Sequence, residues 1–291
     1  MSSATASSPV APEGTSAVPA THRASDVVVV KSEHDPNEYR HYTLANGLAV
    51  LLVKTPYGAA NAADNDSAPV AAEADAATEA AITTPPLPAA SPATVSAPAG
   101  GAVSKPAAVA ISVRTGFFKD PAAFPGLAHF LEHMLFMGSG KYPGENQWEE
   151  FISAHGGYSN ASTDAEHTVY QFEIHPRKLV PALDMFAHFF ISPRFAPDAV
   201  GREVRAVHSE FKETLQSDFA RGLDVVSETC VSGHPLSIFG WGNIDSLEKE
   251  PARRGLVTRD ALVKFHGENY SAAHMTLVRF RILCVFYYQS I

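Results

Sequence analysis

The sequence predicts an α+β fold, because stretches with the periodicity of strands alternate along it with stretches of helical periodicity. Two β-prone runs flank Asn46-Gly47 near the start of the patterned region. Helical and strand-like patterns then follow one another from residue 107 onwards, and the end of the chain is apolar and strand-like. A length of 291 residues suits one or two domains and is ample for a buried core.

Two segments of low complexity interrupt this pattern. Residues 1–37 are predicted to be a disordered tail, since their first part is small, polar and rich in proline. Residues 38–291 are predicted to form one domain with an insertion at about 58–105. That insertion is mostly Ala, Pro, Ser and Thr and contains no aromatic residue, so it cannot bury enough apolar surface to offset its ordering entropy.

The predicted strands begin with a hairpin. Its turn is Asn46-Gly47, two residues that tolerate the positive φ of a tight turn. A buried strand is predicted in residues 107–116, two strands in residues 158–174, and a last strand in the apolar stretch 275–291.

The predicted helices have recognisable ends. Residues 124–137 form a helical pattern before Gly138, and QWEEFISAH follows Asn146, a residue suited to an N-cap. Another helix is predicted from Pro176, and a short amphipathic one at residues 258–270.

The longest predicted helix covers residues 197 to about 230 without a break. Its apolar residues recur at steps of three and four and so form one stripe. The stripe consists of Val200, Val204, Val207, Phe211 and Leu215.

Composition excludes several classes of function. The net charge of -9 and the absence of a dense Lys/Arg patch argue against nucleic-acid binding. No apolar run reaches the roughly 18–20 residues of a membrane span.

The cysteines and the N-terminus bear on the compartment. Cys230 and Cys284 fit neither a disulfide framework nor a zinc spacing, which favours a reducing, cytoplasmic compartment. The N-terminus is rich in Ser and Ala, which leaves a mitochondrial location as the alternative.

The chemistry is concentrated in LAHFLEHMLFM, residues 127–137. His129 and His133 are four residues apart, so a helix brings both imidazoles to one face, where they can bind one metal ion. Glu132 lies beside His133 and is placed to reach a metal-bound water. A bound zinc ion would lower the pKa of that water to about 7, and Glu132 would accept its proton as the general base. Alternatively, these are satisfied polar residues on a helix edge.

A catalytic zinc ion usually has three protein ligands and one open position. The third ligand must come from elsewhere, and the long predicted helix offers Glu203, His208, Glu210 and Glu213. Glu203 and Glu210 are seven residues apart and share a helix face, so one could bind the ion while the other orients a histidine. Spacing does not decide between them, and acids on a helix face are commonly only solvated.

Four motifs in order resemble the M16 inverzincin metallopeptidases, and within that family the nardilysin and insulin-degrading-enzyme group. They are GLAHFLEHMLFMGSGKYPGEN, HGGYSNASTDAEHTVYQF, REVRAVHSEF and GHPLSIFGWGN. The resemblance implies an M16 peptidase-like domain with a mixed β-sheet packed against helices on one face. It also implies one zinc ion per domain.

Individual roles follow from the same resemblance. His129 and His133 match the zinc-binding histidines, Glu132 the catalytic base and Glu210 the third ligand. Glu203 matches a supporting acid next to the ligands. Asn160 and Ala161, in SNAS, match the edge strand on which these enzymes hold a peptide substrate. Alternatively, Asn160 is a turn residue that holds its own loop.

We therefore expect a zinc-dependent metalloendopeptidase domain that hydrolyses oligopeptides. The resemblance also implies a preference for basic residues in the substrate, which the acidic net charge permits. It covers the N-terminal catalytic domain of a family whose members have further domains. The chain is therefore expected to be partial and of low activity alone, and to require the missing M16 domains or a full-length relative. The alternative is a non-catalytic regulatory or binding subunit that pairs with such a relative.

Overall fold

The computed structural model describes residues 22–24, 30–56, 106–231 and 233–281. The predicted insertion at about 58–105 lies outside the described residues, as do most of the predicted tail and the last ten residues. Among the helices in the described ranges, none combines the length and the apolar character that a membrane span requires.

A mixed sheet of seven strands forms the centre of the fold, in the order β1-β2-β3-β7-β4-β6-β5. Neighbouring strands are antiparallel except β3 and β7, which are parallel. The strands are β1 (His22–Ala24), β2 (Glu38–Leu44), β3 (Ala49–Lys54), β4 (Ala107–Val113), β5 (Tyr158–Thr163), β6 (Thr168–Ile174) and β7 (Met275–Arg281). Together with the helices, this sheet confirms the predicted α+β class.

Part of the predicted tail is ordered. His22–Ala24 form β1 and pair antiparallel with β2, Arg23 lying opposite Thr43. Residues 30–37 of the predicted tail also lie within the described residues, and the disorder of the remainder stays a prediction.

The hairpin and the last strand connect the sheet. β2 and β3 pair around the predicted turn, in which Gly47 adopts a φ of 89°. β7 lies between β3 and β4, and so joins this hairpin to the strands β4, β6 and β5. The sequence predicted a strand here, but its central place depends on contacts between residues that are far apart in the chain.

The helices follow the predicted pattern with shifted ends. They are α1 (Leu127–Leu135), α2 (Gln147–Ala154), α3 (Leu179–Ile191), α4 (Pro197–Thr214), α5 (Asp218–Thr229), α6 (Glu250–Arg253) and α7 (Thr258–Asn269). α1 is shorter than residues 124–137 because Gly126, with a φ of 88°, precedes it and Phe136 ends it.

The single long helix predicted for residues 197 to about 230 is wrong. The chain instead breaks between α4 and α5, where the Ser217 side chain accepts a hydrogen bond from the backbone N–H of Ala220. A serine at this position accepts a hydrogen bond from a backbone N–H that would otherwise be unpaired at the start of a new helix. The apolar stripe gives no information about such a cap, so the stripe alone did not reveal the break.

The core lies between one face of the sheet and the helices. Alternate residues of β4 and β6, such as Ile111 and Phe172, are buried with the apolar faces of α1 and α3. Trp148 of α2 packs against Phe172 and Phe186, with ring centroids 5.3 and 5.8 Å away. Helices thus cover one face of the sheet, and alternate residues of β6 are buried against them.

The start of α4 is held by an unusual backbone conformation. Phe195 has a φ of 45°, which is strained for a bulky residue, and it is 3% exposed. Nε of Arg259 donates a hydrogen bond of 2.7 Å to its carbonyl oxygen. This contact links α7 to the turn from which α4 begins.

Candidate metal centre

Helix α1 places two imidazoles on one face of the helix. The rings of His129 and His133 lie edge to face, with their centroids 4.9 Å apart. The opposite face of the helix is fixed in the core, since Phe130, Leu131 and Met134 are fully buried. Apolar packing therefore determines how the two histidines point.

Glu210 of α4 approaches both histidines. Its Oε2 lies 3.3 Å from Nε2 of His133 and 3.6 Å from Nε2 of His129. Two bonds of about 2.0–2.1 Å meeting at a tetrahedral angle would separate their ligand atoms by about 3.3–3.4 Å. These three side chains each offer a ligand atom within 4.8 Å of the other two, an arrangement that is compatible with a zinc site.

Glu203 approaches the other nitrogen of His133. Its Oε2 lies 3.5 Å from Nδ1, while Glu210 approaches Nε2 of the same ring. Burial alone would lower the pKa of His133, but hydrogen bonding to Glu203 and Glu210 raises it to about 10. The two acids thus occupy different positions around one imidazole, a distinction that their seven-residue spacing did not predict.

The orientation of His129 is fixed by a backbone carbonyl. Its Nδ1 lies 2.6 Å from the carbonyl oxygen of Trp241, and the indole packs against the imidazole at 5.6 Å between centroids. A carbonyl can only accept, so Nδ1 carries the proton and Nε2 keeps its lone pair free. Trp241 lies in the GHPLSIFGWGN motif, but a backbone contact has no side-chain signal in a sequence.

Glu132 is buried beside this cluster. It is 8% exposed, and burial raises its pKa to about 7. The hydroxyl of Thr163 lies 2.5 Å from its Oε2. A carboxyl group that ionises near neutrality suits general acid–base chemistry. Thr163 lies three residues after Asn160 in the same predicted strand region, but its spacing from Glu132 in the sequence gives no sign of this contact.

The N-terminus of α1 is held by a second buried carboxyl group. The two oxygens of Asp120 accept hydrogen bonds from the backbone N–H groups of Gly126 and Ala128, at 2.7 and 2.8 Å. Gly126 is also in close contact with Gly242, the residue after Trp241. One small region therefore fixes both the start of α1 and the carbonyl that orients His129.

The remaining predicted residues are not members of the three-residue cluster. Asn160 and Ala161 are on β5, with Asn160 exposed and Ala161 packed against the core. Of the other candidates on α4, Glu213 is exposed, and Nδ1 of His208 is buried without a hydrogen-bond partner in the described part of the chain.

Comparison with known proteins supports a family assignment. Residues 101–238 match the family described as Insulinase (Peptidase family M16). The chain is 47% identical over 174 residues to nardilysin of Rattus norvegicus, covering 60% of this chain and 15% of nardilysin. It is 36% identical over 259 residues to insulin-degrading enzyme of Mus musculus, covering 89% of this chain and 21% of that enzyme.

A solved structure agrees with these matches. The crystal structure of pitrilysin superposes with a TM-score of 0.71 at 28% sequence identity, over 91% of this chain and 23% of the pitrilysin chain. The present chain therefore spans less than a quarter of the length of each of these three relatives.

Proposed function

The chain carries a domain of peptidase family M16, and we propose that this domain is a zinc-dependent metalloendopeptidase of the insulysin and nardilysin type. The observation that carries the proposal is the convergence of His129, His133 and Glu210, whose ligand atoms lie within 4.8 Å of one another. Two imidazole nitrogens and one carboxylate oxygen are a donor set that zinc accepts, and they leave a fourth position open.

The proposed roles follow from the contacts of each side chain. His129, His133 and Glu210 hold the ion, and Glu203 orients His133 from its Nδ1 side. When bound, zinc supplies Lewis acidity that activates water and polarises a carbonyl group. Glu132 accepts a proton from water on its carboxylate and then transfers it to the amine that leaves. Its pKa of about 7 suits it to both transfers.

The peptide is proposed to bind along β5. This strand ends the sheet, and in the described part of the chain it pairs only with β6, so its outer backbone groups are available for a further strand. Asn160 and Ala161 lie on it. Binding through the backbone accepts many sequences, and the net charge of -9 favours peptides with basic residues.

Metal analysis tests the zinc site. We expect about one zinc ion per purified chain, and its loss when His129→Ala and His133→Ala are combined. His34→Ala is the matched control, because the His34 side chain is 89% exposed and remote from the cluster in sequence. Equal zinc content in the wild type and the double variant would contradict the proposal.

Glu132→Gln separates binding from chemistry. This variant is expected to keep zinc and to lose peptide hydrolysis, because Gln cannot accept and return the proton. A fluorogenic peptide with a basic residue next to the scissile bond is a suitable substrate. Hydrolysis by Glu132→Gln at the wild-type rate would rule out the proposed base.

The alternative to a peptidase domain is a non-catalytic regulatory or binding subunit. In that case the chain would bind zinc and peptide but hydrolyse nothing alone. Partners would be further M16 domains, within one polypeptide or in a full-length relative. Mixing the zinc-loaded chain with such a relative and measuring both binding and hydrolysis distinguishes the two functions.

A further inference from the structure

The hydroxyl of Thr163 is the hydrogen-bond partner of the proposed general base. Its Oγ1 lies 2.5 Å from Oε2 of Glu132. An ionised carboxylate has no proton to donate, so the threonine is the donor whenever Glu132 is ready to act as a base. Within the described ranges this is the single hydrogen bond to the Glu132 side chain. The other carboxylate oxygen of Glu132, Oε1, accepts none there.

A neighbouring hydroxyl fixes the direction of this bond. Oγ1 of Thr168 lies 3.3 Å from Oγ1 of Thr163 and 2.8 Å from the carbonyl oxygen of Thr115. A carbonyl oxygen only accepts, so Thr168 donates its single proton to Thr115 and has none for Thr163. The Thr163 proton is then drawn to the closer and charged acceptor, Glu132.

Thr163 also belongs to the edge strand. It is the last residue of β5, where it lies opposite Thr168 of β6. Alternate residues of β5 face the helices: Oγ of Ser159 accepts a hydrogen bond from Nε1 of Trp148, and Ala161 packs against the core. The strand that would pair with a peptide and the carboxylate that would act on it are therefore joined by one side chain.

We propose that Thr163 is a positioning residue that aligns the Glu132 carboxylate with a peptide held on β5. This inference rests on the function proposed above and adds to it the residue that sets the geometry of the base. Thr163 holds Oε2, so Oε1 is left to accept the proton from water. Without this hydrogen bond the Glu132 carboxylate is free to rotate, which lowers the rate of hydrolysis. The backbone contacts that bind the peptide to β5 remain.

The test uses Thr163→Val, which keeps the β-branched shape and removes the hydroxyl. We expect its kcat for a fluorogenic peptide to fall about 10- to 100-fold, the effect typical of groups that orient active-site residues. KM and zinc content are expected to stay within about twofold, since neither strand nor ligands change. Thr163→Ser, which restores a donor, is expected to recover most of the rate. The matched control is Thr229→Val, whose exposed hydroxyl bonds only to its own helix.

A double-variant cycle provides a readout that needs neither zinc nor turnover. In the metal-free protein, Thr163→Val is expected to lower the unfolding temperature more when Glu132 is present than in the Glu132→Ala background. Equal shifts in the two backgrounds would overturn the inference, as would a Thr163→Val enzyme with wild-type kcat. A wild-type chain that takes up no zinc would defeat the proposed function separately. In that case coupling in the cycle still supports the contact that positions Glu132, and equal shifts still refute it.

Discussion

At the scale of the residue, Glu132 shows how burial adjusts one group for its proposed task. The carboxyl group is 8% exposed, and burial is the main cause that raises its pKa from 4.5 to about 7. The hydrogen bond from Thr163 opposes that shift, because it favours the ionised form. Its environment therefore keeps the group between the two protonation states near neutral pH.

This shift predicts a pH dependence of stability in the metal-free chain. The folded pKa of about 7 lies above the ordinary 4.5, so the stabilising contribution is complete below about pH 4.5 and is lost as the pH rises through about 7. Relative to Glu132→Gln, which does not titrate, the wild type is expected to lose up to about 3 kcal/mol of unfolding free energy over that range. Urea unfolding at several pH values measures this difference, and a constant difference would contradict the assignment.

Asp120 gives a second prediction at this scale. It accepts hydrogen bonds from two backbone N–H groups at the start of α1. In Asp120→Ala both of these buried donors lose their acceptor. We expect a loss of about 2 kcal/mol in unfolding free energy and weaker zinc retention. Asp120→Asn, which keeps one acceptor oxygen, is expected to lose about half as much. The result would be contradicted if the alanine variant were as stable as the wild type.

At the scale of the element, local patterns predicted most helices and strands but not their breaks. The four-residue spacing of His129 and His133 places them on one helix face, and the structure brings their rings together. The split between α4 and α5 was missed because the apolar stripe ends at Leu215, which is 50% exposed, and carries no signal for the turn that follows. An apolar stripe shows that apolar residues recur with helical periodicity. It does not show whether those residues are buried against another element.

Contacts between distant elements were beyond prediction from local pattern. Glu203 and Glu210 share a helix face, and only the packing of α4 against α1 gives each a different nitrogen of His133. The Trp241 carbonyl that fixes His129 is a backbone group 112 residues away. Sequence spacing constrains residues within one element, whereas the crossing of two helices depends on the whole core.

The contact between α1 and the 241–243 turn gives a prediction about glycine. A Cβ on Gly126 would lie 2.1 Å from the Cα of Gly242, and the φ of 88° is unfavourable for alanine. Gly126→Ala is therefore expected to destabilise the fold by about 3 kcal/mol and to weaken zinc binding, since the turn that orients His129 must move.

Gly222→Ala is the matched control for that substitution. Gly222 lies within the exposed helix α5, and a Cβ there meets nothing within 4 Å. Alanine is expected to stabilise this helix by up to about 1 kcal/mol, without a change in zinc content. If thermal unfolding showed similar effects of the two substitutions, the close contact would not be the cause.

At the scale of the whole molecule, stability is expected to come from the core between the sheet and its helices. Phe172 is 1% exposed and contacts the rings of Trp148 and Phe186, so Phe172→Ala is expected to cost about 3–5 kcal/mol. Phe219 of α5 is 77% exposed, and Phe219→Ala is expected to change the unfolding free energy by less than about 0.5 kcal/mol. Denaturant titrations that gave both variants equal losses would refute this division.

The central place of β7 has a consequence for the order in which the molecule can assemble during synthesis. Its residues, Met275–Arg281, emerge from the ribosome after those of every other strand that the structure describes, yet both β3 and β4 need them as a neighbour. Until then the nascent chain contains two separate groups of strands, β1-β2-β3 and β4-β6-β5. The unpaired edges of β3 and β4 can bind chaperones or pair with other chains. Closure of the sheet must therefore follow translation of residue 281, however early α1 forms.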